Sequence, residues 1–341
     1  MISRAVRAAR LARNYFRPKA LVLMYHRVAV PEYDSWEIAV SPANFEQHLQ
    51  VLKRFGNVIS TNELLTGLAT NTLKRRSVAI TFDDGYLDNY LVAKPLLETY
   101  QLPATFFIAS GSIGQERAYW WDELSQLIFA SAHLPSHFSL LLAGRPIEFA
   151  LGNEQHLSPA LQHRNQHWKA ASAAPPSLRA ALYYQLWETI KALPHPEQQR
   201  ALDQIRAWAG PTTAPQQDCR VMSLPQLREL SSSPYFTIGA HTVTHPALAS
   251  HLPDFQNHEL RTSRQQLEQM TAISVGLLAY PYGNCGAETV AIAATTFDAA
   301  FTTEARSATK WSDRYRLGRF QVNNWQGPVF HQQLNQWFQA F

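Results

Sequence analysis

Cysteine is nearly absent, with Cys219 and Cys285 the only two in 341 residues. A disulfide framework is excluded in a chain of this length. Without an export signal, the thiols read as reduced and cytosolic. No run of about 18 apolar residues occurs, so no transmembrane helix is expected. Charged residues are sparse, at 16% against 46% hydrophobic, which is the composition of a globular chain. Residues 1–19 lack any acid while holding Arg4, Arg7, Arg10, Arg13, Arg17 and Lys19. Removing these six from 30 basic residues leaves 24 against 26 acidic ones, so the remainder carries −2. That remainder offers no electrostatic reason to bind nucleic acid. Residues 1–19 also lack the apolar core of about 7–15 residues and the small-residue cleavage site of a signal peptide. Arginines recurring every three residues fall along one side of a helix. Two readings stand: a solvated, fraying terminus, and a surface helix attracted to anionic lipid. The expected location is cytoplasmic, with contact at the inner face of the membrane under the second reading. Nothing in the sequence sets the oligomeric state.

What is present is an alternation of short apolar runs with helical patterns, which predicts βα units and a mainly parallel sheet. The runs are "ALVLMYH" (Ala20–His26), "NVIS" (Asn57–Ser60), "SVAITF" (Ser77–Phe82) and "ATFFIAS" (Ala104–Ser110). They resume with "YFTIGA" (Tyr235–Ala240), "GLLAYP" (Gly276–Pro281), "AAFTT" (Ala299–Thr303) and "LGRFQV" (Leu317–Val322). Ser41 before Pro42 reads as a helix N-cap with proline at the first position, and Thr61 as a second cap. From Gly114 to Met222 no strand is convincing, and Trp120, Trp121, Trp168, Trp187 and Trp208 gather there. We expect a basic segment at 1–19, a barrel from 20–113 and 223–341, and a mostly helical insertion at 114–222. Tryptophans there suit core packing, although "AYWWDEL" (Ala118–Leu124) directly follows a strand-end loop and could also stack on a sugar.

Three stretches carry chemistry. "TFDDGY" sets Asp83 and Asp84 at the carboxyl end of a predicted strand, where parallel sheets build sites. Two adjacent carboxylates there suit a metal ligand beside a base, or a helix N-cap. "AHTVTHP" places His241 and His245 four apart just beyond another strand, a spacing that puts two imidazoles on one side of a turn. One carboxylate with two imidazoles makes a three-ligand set that leaves a metal open to substrate. "YPYGN" ends a third strand, and the turn at Tyr282 offers a backbone N–H to an oxyanion or is an ordinary strand-to-helix turn.

In this order, "TFDDGY", "HTVTHP" and "YPYG" resemble the motifs of the polysaccharide deacetylase family, the NodB-homology or carbohydrate esterase family 4 group. The resemblance covers about residues 20–112 and 223–325. It implies an α/β fold, a distorted (β/α) barrel, and a metal-dependent sugar deacetylase. It implies Asp83 as general base and Asp84, His241 and His245 as ligands of a divalent transition ion such as zinc. Two features depart from the family pattern. The arginine that orients the base, two residues before the proline, is replaced by Ala279, which leaves Arg319 in "RLGRF" as a substitute. The late leucine-x-histidine motif that supplies the acid has no clear counterpart; "VFH" ending at His331 follows no strand, and His26 is the alternative acid.

The function these residues imply is removal of an N-acetyl group from an amino sugar of a glycan or lipid-linked saccharide. Two alternatives stay open: a deformylase or amidohydrolase using the same metal site, and a non-catalytic glycan-binding protein.

Overall fold

The computed structural model describes residues 18–142, 144–210 and 219–340. The basic segment expected at 1–19 lies almost wholly outside the described residues. The described residues form two compact units. One holds the residues up to Val30, Ile38–Gly114 and Val221 onward; the other holds Pro31–Glu37 and Gln115–Arg220.

The first unit is a curled, all-parallel sheet surrounded by helices. Its strands are β1 (Ala20–Tyr25), β2 (Asn57–Val58), β3 (Ser77–Phe82), β4 (Ala104–Ile108), β5 (Phe236–Ala240), β6 (Leu277–Ala279), β7 (Ala299–Phe301) and β8 (Phe320–Gln321). They pair in the order β7-β6-β5-β4-β3-β1-β8, with β2 added beside the start of β3. Every residue of β1, β3 and β4 is buried. That is why they read as continuous apolar runs instead of alternating ones. The segment before β8 closes the curl: Leu317 bridges Phe301 of β7 in parallel, while Phe320 pairs with Leu23 of β1.

Local chemistry sets the flanking helices. Ser41 caps the helix Pro42–Phe55 by accepting from the Asn44 N–H. The next cap is Ser60, one residue before the expected Thr61. Its hydroxyl and Glu63 complete a reciprocal capping box, which Thr61 has no partner to form. Long helices Pro253–Thr271 and Gly327–Ala340 complete the outer layer.

The second unit departs from the sequence reading in two ways. It recruits Pro31–Glu37 as well as the insertion, and it contains an antiparallel hairpin, His137–Leu142 with Arg145–Ala150. The hairpin's signal is brief. Phe138, Leu142 and Ile147 are buried among exposed neighbours, and Gly144 turns the chain with φ +73. Helices Leu178–Lys191 and His195–Ala209 supply the rest. Arg179 is fully buried and donates to the carbonyls of Ile128, Ser131, Glu154 and Gln155 at 2.7–3.0 Å. Trp120 and Trp121 are 3% and 8% exposed, and Trp120 lies 6.1 Å from Trp187. They fill this unit's own core, so the sugar-stacking expectation for them is replaced by packing.

Candidate active site

Parallel strands deliver their carboxyl ends to one rim, and four of them furnish the site. Asp83 follows β3, and its N–H donates to the Tyr25 carbonyl at 3.0 Å. His26 follows β1, the neighbour of β3 in the sheet. His241 follows β5 and donates its N–H to the Ile108 carbonyl of β4 at 2.9 Å. Tyr282 follows β6 in the turn Pro281–Gly283.

Backbone strain concentrates here. Asp84 (φ +71), Thr242 (φ +66), His245 (φ +59) and Tyr282 (φ +57) all adopt left-handed conformations that non-glycine residues avoid. Gly283 must be glycine: its φ is +65, and a Cβ would collide with Thr303.

Asp84, His241 and His245 converge. Their ligand atoms lie within 4.8 Å of one another, and all three residues are buried. His241 Nε2 is 3.4 Å and His245 Nε2 3.3 Å from Asp84 Oδ1. The donor set fits a divalent ion. His241 Nδ1 sits 2.8 Å from the Ala279 carbonyl, so that nitrogen carries the proton and Nε2 keeps its lone pair for a metal ion. Ala279, where the family often has arginine, therefore orients His241 through its carbonyl. The loop holding the histidines is tied down by Glu259, which is 3% exposed. Its carboxylate accepts from the Val243 N–H, the Thr244 N–H and the Thr244 hydroxyl at 2.7, 3.0 and 2.8 Å. The sequence reading missed Glu259; it lies on a helix with ordinary amphipathic spacing, and no motif marks it.

Asp83 stands apart from the ligand set. Arg319 grips both its oxygens, at 2.6 and 2.7 Å, from a fully buried position. The same guanidinium donates to Thr302 O at 3.0 Å and to the Thr81 hydroxyl at 3.2 Å. Burial pushes the Asp83 carboxyl up, but Arg319, with His241 and His26, outweighs it and holds the carboxyl below its usual range. The substitute named for the missing arginine thus occupies the orienting position. His26 lies with its Nε2 3.9 Å from Asp83 Oδ2, and its side chain is 16% exposed. Asn89 fixes the backbone there, donating to the His26 carbonyl at 2.7 Å. The Tyr282 ring meets His245 edge-on at 4.6 Å. His331 is not in this cluster; it packs 5.5 Å from Phe55 on the helix Gly327–Ala340.

The Polysaccharide deacetylase family model matches residues 70–137 and 208–297. His26 and Arg319 lie outside those stretches. The poly-β-1,6-N-acetyl-D-glucosamine N-deacetylase of Staphylococcus aureus is 33% identical over 126 residues, 33% of this chain and 43% of that protein. The chain spans less than half the length of the curated relatives it matches. Among solved structures, IcaB from Ammonifex degensii aligns over 95% of this chain and 98% of its own, with 20% identity and a TM-score of 0.56. The Streptococcus pyogenes deacetylase PplD, in complex with acetate, aligns over 93% and 98% with 22% identity and a TM-score of 0.53. At these identities the structures speak for the fold. With the matched motifs standing at the rim of that fold, the chain carries both the sequence motifs and the fold of the polysaccharide deacetylase family, the NodB-homology group.

Proposed function

We propose that the protein is a metal-dependent hydrolase that removes the N-acetyl group from an amino sugar within a glycan. One observation carries this reading. A buried carboxylate held by an arginine stands beside a separate Asp-His-His donor set. That is the division of labour hydrolysis of an amide needs, a base that is not itself a ligand. The Staphylococcus aureus relative bears the name of such an N-deacetylase, which favours N-acetylglucosamine polymers as the substrate class.

Two imidazoles with one carboxylate suit borderline cations, and zinc is our choice among them. When bound by Asp84, His241 and His245, the ion would polarise the acetyl carbonyl and acidify a water. Asp83 accepts the proton of the attacking water, and Arg319 keeps it ionised and aimed. The Tyr282 backbone N–H is our candidate to stabilise charge gathering on the carbonyl oxygen. His26, beside Asp83 and partly open to solvent, is our choice to protonate the departing amine.

The test is acetate release from β-1,6-linked N-acetylglucosamine oligomers, alongside a chitooligosaccharide and formylated and cyclic amides. Release from an acetamido sugar, abolished by chelation and restored by zinc, is the expected result. Hydrolysis of the formyl or cyclic substrates alone would overturn the reading.

A further inference from the structure

At the opposite end of the barrel from the catalytic rim, the strands begin. Two segments meet there: Asn57 donates its N–H to the Arg76 carbonyl at 3.3 Å and its side-chain amide to the Arg75 carbonyl at 3.1 Å. This joins Lys53 and Arg54 to Lys74, Arg75 and Arg76 in one basic cluster. Lys53, Arg54, Lys74 and Arg75 are exposed. Among the described residues, Lys53, Arg54 and Lys74 have no carboxylate within ion-pair distance.

The sheet register carries the patch further. Ser77 pairs with Ala20, and Ala20 bridges Ala308 through two hydrogen bonds of 2.9 and 2.8 Å. The loop that follows presents Lys310 and Trp311. Trp311 is 80% exposed, with the Lys310 ammonium 4.8 Å from its ring centre. The loop's acid, Asp313, is engaged in accepting the Tyr315 N–H at 2.9 Å.

We propose that this end of the barrel is a docking surface for an anionic lipid bilayer. The basic cluster complements negatively charged headgroups, each nearby cation adding to the attraction. A solvent-exposed tryptophan flanked by lysine belongs at the headgroup boundary, where an amphipathic ring is most stable. A polyanion without bases to stack would use the charge but not an exposed Trp311; single-stranded RNA could use both and is tested as a competitor. No described helix is long and apolar enough to cross a membrane; the proposed contact is made by a surface of the barrel. Docking in this orientation turns the catalytic rim away from the bilayer. The proposal does not depend on the deacetylase reading.

The experiment is co-sedimentation of the full chain with vesicles of phosphatidylcholine, alone or mixed equally with phosphatidylglycerol. Binding should occur only to the mixed vesicles and be released by salt. Each charge removed in the series K53Q, R54Q, K74Q and R75Q should weaken binding about five-fold. Trp311→Ser should weaken it too and remove the vesicle-induced change in tryptophan emission. Unchanged melting curves and metal content show that the variants are folded. Three results would overturn the proposal. The intact chain could ignore the mixed vesicles at low salt. Deleting residues 1–17 could abolish binding while the patch variants bind normally, which assigns attachment to that segment alone. Finally, single-stranded RNA could bind more tightly than the mixed vesicles, with or without a contribution from Trp311, which makes the patch a nucleic-acid site.

Discussion

Asp83 is 2% exposed, and a carboxylate so buried needs a partner to stay charged. Arg319 is that partner, and removing one half of a buried ion pair costs about 3–5 kcal/mol. Arg319→Met should lower the unfolding free energy by about this amount, measured by denaturant titration. The double variant Arg319→Met with Asp83→Asn should lose less than the sum of the single losses, since neither charge is then stranded. Strict additivity would refute the pairing. Asp83→Asn alone should keep the bound ion and lose about 10²–10⁴-fold in turnover, the usual cost of a missing general base. His241→Ala or His245→Ala should instead deplete the ion, read by elemental analysis. Equal metal in wild type and both variants would remove the ligand assignment. The proposed ligands and the proposed base were visible in the sequence because they sit in short motifs at strand ends. Arg319 was legible only as a candidate, because it meets Asp83 across 236 positions, a distance no spacing rule spans.

At the scale of elements, the helix Pro42–Phe55 is pinned through His48, which is fully buried. Its Nε2 lies 2.6 Å from the Trp325 carbonyl and its Nδ1 3.3 Å from the Tyr25 hydroxyl. The carbonyl fixes the proton on Nε2, so Nδ1 accepts from the phenol. Its ring stacks on Phe330 at 4.1 Å, joining β1 and the helices Pro42–Phe55 and Gly327–Ala340 around one neutral imidazole. Burial lowers its pKa to about 4, although the bond to Trp325 opposes this. As pH falls from about 6.5 to about 4, the unfolded chain binds a proton that the folded one refuses, so stability falls with pH. The window spans about 2.5 pKa units, or roughly 3 kcal/mol. His48→Gln should flatten the decline of unfolding free energy between about pH 7 and pH 4 by that amount. A parallel decline in both proteins would show that the imidazole titrates freely in the fold. The strands β1, β3 and β4 were readable because full burial makes them unbroken apolar runs. The hairpin of the second unit was not, since its alternation lasts only a few residues inside a helical neighbourhood.

At the scale of the molecule, both departures from the barrel leave and return at hydrogen-bonded points. Gly114 donates its N–H to the Met222 carbonyl at 3.1 Å, and Arg27 donates to the Ile38 carbonyl at 3.0 Å. Every proposed ligand lies in the first unit. A chain with 115–220 replaced by a short glycine-serine linker, and 31–37 by a tight turn, should therefore fold and hold its ion. Circular dichroism melting and elemental analysis would check this; a chain that melts without cooperativity shows the barrel needs the insertion. The grip of Arg319 on Asp83 also has a consequence in time. Ribosomes add about 5–20 residues per second, so the arginine follows the aspartate by roughly 10–50 s. Throughout that interval the nascent barrel must leave the carboxylate wet or bury it without its cation. The proposed reactive centre thus cannot be completed before Arg319 is made, and a chain stopped short of it carries the motifs without the arginine that holds Asp83.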